Sequence, residues 1–213
     1  MENKHILFCG DSLMTGDNNG GRGIFYYCQK HYPNAHMEGC SGTTFGEYSL
    51  YPVDGESLSC MVTQSEAFKY RRDIVVLEYG VNDASSVCAG NVSMEIVLNT
   101  FRKCVDKIRQ LFPNCEIVFL RLSDEAMRSE AAGQISYLKD DYLSDVFSVM
   151  GVNVSNTNWA NRWEWAYKTI VELAELLCDR SISIMNPALI SEDGMHPSES
   201  GYIDIAQTVH AAL

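Results

Sequence analysis

No apolar run in this 213-residue chain approaches the roughly 18–20 residues that a membrane-spanning helix needs, and the first hydrophobic stretch, Ile6 to Cys9, is broken at once by Gly10 and Asp11. Neither a membrane span nor a signal peptide is therefore expected, and the cytoplasm is the expected compartment. Positive charge is also scarce, with 16 Lys and Arg against 28 Asp and Glu for a net charge of −12. Such a chain repels phosphate backbones and anionic lipid surfaces at long range, which argues against nucleic acid as a partner. CxxC pairs are missing too. The cysteines, at positions 9, 28, 40, 60, 88, 104, 115 and 178, are scattered through apolar stretches, which suits reduced, buried thiols better than a disulfide framework or a zinc site. His31 and His36 have no carboxylate at metal spacing, and His5 and His210 stand alone, so no metal is expected. The glycine-rich stretch from Gly16 to Gly23 lacks both the Lys-Ser/Thr of a phosphate-binding loop and the GxGxxG spacing of a dinucleotide site. It reads as a mobile loop on the rim of a pocket, and no cofactor is expected.

What is present is an ordinary folding composition, 46% hydrophobic and 21% charged. With no internal repeat and no low-complexity linker, residues 1–213 read as one domain, burying roughly 70% of its unfolded surface. Short apolar runs alternate with longer segments of helical period, the pattern of βαβ units around a parallel sheet. Five strands are expected, at Ile6–Cys9, Ala35–Gly39, Ile74–Tyr79, Cys115–Leu122 and Ser181–Met185. Met94, Val97, Leu98, Phe101, Val105, Ile108 and Leu111 recur at three- and four-residue steps and place one face of a helix against that sheet. Leu58 to Phe68 suggests another helix, and Tyr202 to Val209 a C-terminal one capped by Ser198. The stretch between the fourth and fifth strands is longer than a crossover needs, so a lid-like insertion is expected over about 123–160, with a helix around Ile135 to Met150.

Four short blocks carry the chemistry. Gly10-Asp11-Ser12-Leu13 follows the first strand and brings a serine hydroxyl to a strand end, although a lone serine there is more often a helix cap. Gly39-Cys40-Ser41-Gly42-Thr43-Thr44 follows the second strand, where Gly42 lets a backbone N–H approach a ligand, or simply makes a turn. Gly80-Val81-Asn82-Asp83 follows the third and offers an amide side chain from a loop, or only an Asx turn. Asp193-Gly194-Met195-His196-Pro197 carries an acid and an imidazole three positions apart. A nucleophilic serine needs a neutral imidazole to take its proton, and the imidazole needs an acceptor at its other nitrogen. Ligands gather where the carboxyl ends of parallel strands converge, so the four features in this order outweigh their separate bland explanations.

In these four blocks, from residue 6 to the end, the sequence resembles the SGNH or GDSL hydrolase family. The resemblance implies a flavodoxin-like three-layer α/β/α sandwich and hydrolysis of esters, thioesters or related acyl groups through an acyl-enzyme. Carried onto this sequence, it makes Ser12 the nucleophile, His196 the general base and acid, and Asp193 the group that orients His196. Ser12, Gly42 and Asn82 would form the oxyanion hole. A rival nucleophile, Ser41, fails the Gly-x-Ser-x-Gly pattern because Thr43 stands at its fifth position.

The expected substrate is a small acylated molecule with a short acyl group, such as an acetylated carbohydrate. Thr43, Thr44, Asp83, Ser85, Ser86 and Glu192 flank the four blocks, and a long acyl chain would need a continuous apolar groove. A lysophospholipase or acyl-thioester hydrolase is the enzymatic alternative. A catalytically inactive ligand-binding module and a flavodoxin-like nucleotide binder are the alternatives from other classes. Trp159, Trp163 and Trp165 invite a sugar-stacking reading, but core packing is the simpler one.

Overall fold

The computed structural model describes residues 4–49, 57–130 and 158–213. Strand β1 (Ile6–Gly10) is buried along its whole length and delivers the chain to helix α1 (Ser12–Thr15) and then α2 (Ile24–Cys28). After β2 (His36–Gly39) comes α3 (Leu58–Gln64), where Ser57 Oγ accepts from the Cys60 N–H. Strand β3 (Ile74–Glu78) leads into α4 (Val81–Ala89) and the long α5 (Met94–Leu111). The apolar stripe read from the sequence is the buried face of α5, with Val97, Phe101, Val105 and Ile108 in the core, and Ser93 caps the helix. Strand β4 (Glu116–Leu122) is followed by a helical stretch over 124–130, then α6 (Asn158–Leu177), β5 (Arg180–Ile184) and α7 (Glu199–Ala212), which is capped by Ser198.

All four strand pairings are parallel, and the order across the sheet is β2-β1-β3-β4-β5. The central strand, β3, pairs with β1 from Ile74 opposite Ile6 to Glu78 opposite Gly10. Parallel strands covered on both faces need apolar residues at successive positions, which is why these two read as unbroken hydrophobic runs. The edge strands are more exposed, and β5 alternates, with Ile182 and Ile184 inward and Ser183 outward. Helix α2 packs on α7, while α3, α5, α6 and α4 form a second packed group, giving the three-layer α/β/α sandwich.

Two expectations change. The 80–83 block is not a loop: Asn82 and Asp83 lie in the first turn of α4, a helix whose polar Asn82, Asp83, Ser85 and Ser86 are buried. Nor is the Gly16–Gly23 stretch a loose rim. Gly23 N donates to Thr15 O, Asn18 Nδ2 to Pro197 O, and Tyr202 O–H to Asn18 Oδ1, so the loop is closed on itself and fastened to the C-terminal segment. The expected helix around Ile135 to Met150 lies outside the described residues.

The tryptophans divide as packing demands. Trp163 is fully buried, stacks on Tyr167 with ring centroids 5.3 Å apart, and donates its Nε1–H to Ser85 Oγ. Trp159 is also buried, whereas Trp165 is 54% exposed. Trp163→Ala should therefore cost about 3–5 kcal/mol of stability. Trp165→Ala should stay within about 0.5 kcal/mol. Urea denaturation of the two variants checks the contrast, and equal losses would contradict the packing assignment.

Candidate active site

The carboxyl end of β1 is where the first block acquires its shape. Asp11, not Ser12, is the N-cap of α1: its Oδ1 accepts from Leu13 N at 3.1 Å, which leaves Ser12 as the first helical residue with its hydroxyl unspent on capping. The bland alternative weighed for Ser12, a serine that merely caps the next helix, is thus not what this geometry shows.

The fourth block arrives from the far end of the chain on a loop stiffened by its own carboxylate. Asp193 Oδ1 accepts from Ser191 Oγ at 2.7 Å and from the Met195 and His196 N–H groups, each at 2.9 Å. Gly194 adopts a φ of 75°, in the left-handed region that glycine enters without strain. The other carboxylate oxygen, Oδ2, lies 2.7 Å from His196 Nδ1, and His196 Nε2 lies 3.0 Å from Ser12 Oγ. A carboxylate can only accept, so Nδ1 carries the hydrogen toward Asp193 and Nε2 turns its lone pair toward the serine hydroxyl. Ser12, His196 and Asp193 thus form a continuous hydrogen-bonded line that can move a proton from Ser12 Oγ to Nε2.

Burial alone would raise the Asp193 pKa, but hydrogen bonds from His196, Met195 N–H and Ser191 outweigh it and hold the carboxyl well below its ordinary range. For His196 the balance runs the other way. Burial disfavours the imidazolium, yet the hydrogen bond to Asp193 and the charges of Glu130, Asp193 and Asp11 prevail and hold its pKa above the ordinary imidazole value.

The second and third blocks meet beside Asp11. Gly42 has a φ of 77°. Among the described residues, no protein acceptor takes the backbone N–H of either Ser12 or Gly42, which leaves both open to a ligand. Asn82 Nδ2 donates to Asp11 Oδ2 at 2.8 Å and to Thr43 O at 3.1 Å, tying the ends of β1 and β3 to the segment after β2. Ser41 is engaged elsewhere, its hydroxyl donating to Asp17 Oδ2. Burial pushes the Cys28, Cys88, Cys104 and Cys178 thiols up to about 12, which makes them poor nucleophiles.

One feature of the site escaped the sequence reading. Glu78, at the end of β3, is buried against Asp11, and Glu130 is buried nearby in the 124–130 helical stretch. The signal was a lone acid closing the otherwise apolar run Ile74–Leu77.

The sequence matches the model of the GDSL-like lipase/acylhydrolase family over residues 8–202. The chain belongs to that family. As a GDSL-family chain it is an ester-hydrolysing enzyme. No curated protein sequence is significantly similar to it. Solved structures do share its fold. A protein from Parabacteroides merdae described as a GDSL-like lipase is 17% identical with a TM-score of 0.61, over 97% of this chain and 94% of that one. A family two carbohydrate esterase from Clostridium thermocellum is 12% identical with a TM-score of 0.61, over 99% of this chain but 63% of that one. A carbohydrate acetylesterase family member from Sinorhizobium meliloti is 16% identical with a TM-score of 0.56, over 97% and 96%.

No helix among the described residues is long and apolar enough to cross a membrane.

The raised His196 pKa fixes the direction of the pH response. Imidazolium cannot accept the Ser12 proton, and a raised pKa keeps it present to higher pH. The acidic limb of kcat/KM for ester hydrolysis should therefore lie above the ordinary value of about 6.5. Asp193→Asn should move it down. A wild-type profile flat from about pH 5 to 8 would contradict a histidine base.

Proposed function

We propose that this GDSL-family enzyme is a serine esterase that removes short acyl groups, acetyl foremost, from small molecules, with carbohydrates as the favoured class. The observation that carries the reading is the line in which His196 Nε2 stands 3.0 Å from Ser12 Oγ while Nδ1 stands 2.7 Å from Asp193.

In the reaction, Ser12 Oγ attacks the acyl carbonyl carbon as its proton passes to His196 Nε2. The charge that develops on the carbonyl oxygen meets the N–H groups of Ser12 and Gly42. Asn82 Nδ2 joins them as its longer hydrogen bond, to Thr43 O, gives way. Collapse expels the alcohol, which takes the proton from His196 and leaves the acyl group on Ser12. Water then repeats the sequence: His196 accepts its proton, its oxygen attacks the acyl carbon, and Ser12 leaves with the proton returned. Asp193 stays ionised throughout and holds the imidazole in the tautomer that both halves require.

Support for a short acyl group no longer comes from the polar residues flanking the blocks. Thr43, Thr44, Ser85 and Ser86 are buried and donate to the carbonyls of Cys40, Gly46, Val81 and Asn82. It comes instead from Met14, Met195, Trp159 and Trp163, apolar candidates for an acyl-chain groove whose surfaces are taken up inside the protein. Structural neighbours described as carbohydrate esterases, among them an acetyl xylan esterase from Butyrivibrio proteoclasticus at 11% identity, point the same way.

Two measurements test this. Ser12→Ala should abolish ester hydrolysis and labelling by a fluorophosphonate, while Ser41→Ala retains both, and labelling that survives in Ser12→Ala would remove Ser12 from its role. Across a panel of p-nitrophenyl esters with acetylated sugars, kcat/KM should be highest from acetyl to butyryl. A preference for decanoyl or longer chains would favour a lysophospholipase or thioesterase instead.

A further inference from the structure

Strand β3 is apolar from Ile74 to Leu77 and then places an acid at Glu78. There β3 pairs with Gly10 of β1, and a Cβ on Gly10 would stand 2.9 Å from both Glu78 Oε2 and Glu78 O. The missing side chain of Gly10 is what admits the glutamate carboxyl to this position. Glu78 is 2% exposed and Asp11 1%. Glu78 Oε2 accepts from the Asp11 N–H at 3.3 Å, which holds the Glu78 carboxyl beside Asp11 in the same buried space. Two carboxylates buried this close cannot both remain ionised, so one holds a proton.

The donors around each decide which. Asp11 receives Leu13 N–H on Oδ1 and the Asn82 amide on Oδ2, and the His196 imidazole also favours its charge. Glu78 receives the one long backbone hydrogen bond, and the titratable groups whose charge bears on it are acids or phenols. These are Asp11 at the end of β1, Glu130 from the 124–130 stretch, Tyr79 beside it, Tyr167 of α6 and Tyr202 of α7. We propose that Glu78 is protonated at neutral pH and, by donating its O–H to the Asp11 carboxylate, is a positioning residue that holds Asp11, and through it the Asn82 amide, in place for the oxyanion.

Burial, followed by the charge and hydrogen bond of Asp11, pushes the Glu78 pKa well above its ordinary value. Burial also raises Asp11, but its donors restrain it to about 6. The arrangement places one negative charge behind the oxyanion donors. With Glu78 ionised there would be two, and the second would oppose the charge that develops on the substrate.

The inference rests on the reading of Asn82 as an oxyanion donor, so its test includes a measurement that does not need turnover. Infrared difference spectra of the full-length protein at neutral pH, wild type minus Glu78→Gln, should contain the carbonyl stretch of a protonated carboxylic acid. In p-nitrophenyl acetate hydrolysis, Glu78→Gln replaces the O–H donor with an N–H donor and should keep kcat within about ten-fold of wild type. Glu78→Leu removes the donor and should lower kcat by a further factor of about 10–100 with KM unchanged. Absence of the protonated-acid band overturns the proposal, including in the event that Glu78→Leu fails to fold. So does a Glu78→Gln loss equal to that of Glu78→Leu, or a Glu78→Leu enzyme with wild-type kcat. A wild type that shows the band but hydrolyses no ester would instead refute the esterase reading while leaving the protonation of Glu78 supported.

Discussion

The site depends on the parallel pairing of β1 with β3. The strand order reverses direction at this pair: from β1 the chain turns outward to β2 and then crosses back to β3. Helices leaving two adjacent strands in opposite directions open a crevice between their first turns, and in this protein those turns begin with Ser12 and Val81. The register that sets Gly10 opposite Glu78 is also what brings Asp11 within hydrogen-bonding distance of Asn82, two residues 71 positions apart. A slip of one residue in either strand would turn the whole arrangement away from the crevice.

Two kinds of carboxyl group surround this crevice, and solvent and donor supply separate them. Asp193 is partly exposed and accepts four hydrogen bonds, so it remains an anion under almost all conditions. Asp83 is buried, with Phe45 N–H and Tyr48 O–H on one oxygen, and burial raises its pKa to about 7. The charge of −12 carried by the chain thus says little about the centre, where burial raises the pKa of Asp11, Glu78 and Asp83.

The frame was readable because its determinants are local in sequence. Each of the five expected strands lies within a residue or so of its observed limits, and Met94 and Leu111 bound α5 as their periodicity implied. The same holds for the Ser198 cap. Helix α4 was missed because it is buried nearly all round, and Asn82, Asp83, Ser85 and Ser86, held by partners such as Phe45, Tyr48 and Trp163, interrupt any apolar stripe that Val81, Ala84, Val87 and Cys88 would make. Those partners are distant in the chain. The polar walls expected around the substrate failed for the same reason, since Thr43 and Thr44 spend their hydroxyls on backbone carbonyls. Glu78 stood in plain view, yet its significance depends on the carboxyl of the neighbouring strand.

The loop that carries Asp193 and His196 is a unit in its own right: the acid, the base and the hydrogen bonds that orient them lie within six residues, 191–196. Its position relative to Ser12 is set from outside. Tyr202 on α7 reaches Asn18, Asn18 reaches Pro197, and Tyr27 on α2 donates to Glu199 at the start of α7. The 3.0 Å gap between Ser12 Oγ and His196 Nε2 is consequently a property of a helix-to-helix contact on the outer layer of the sandwich. Altered packing between α2 and α7 would open or close that gap and leave both side chains intact.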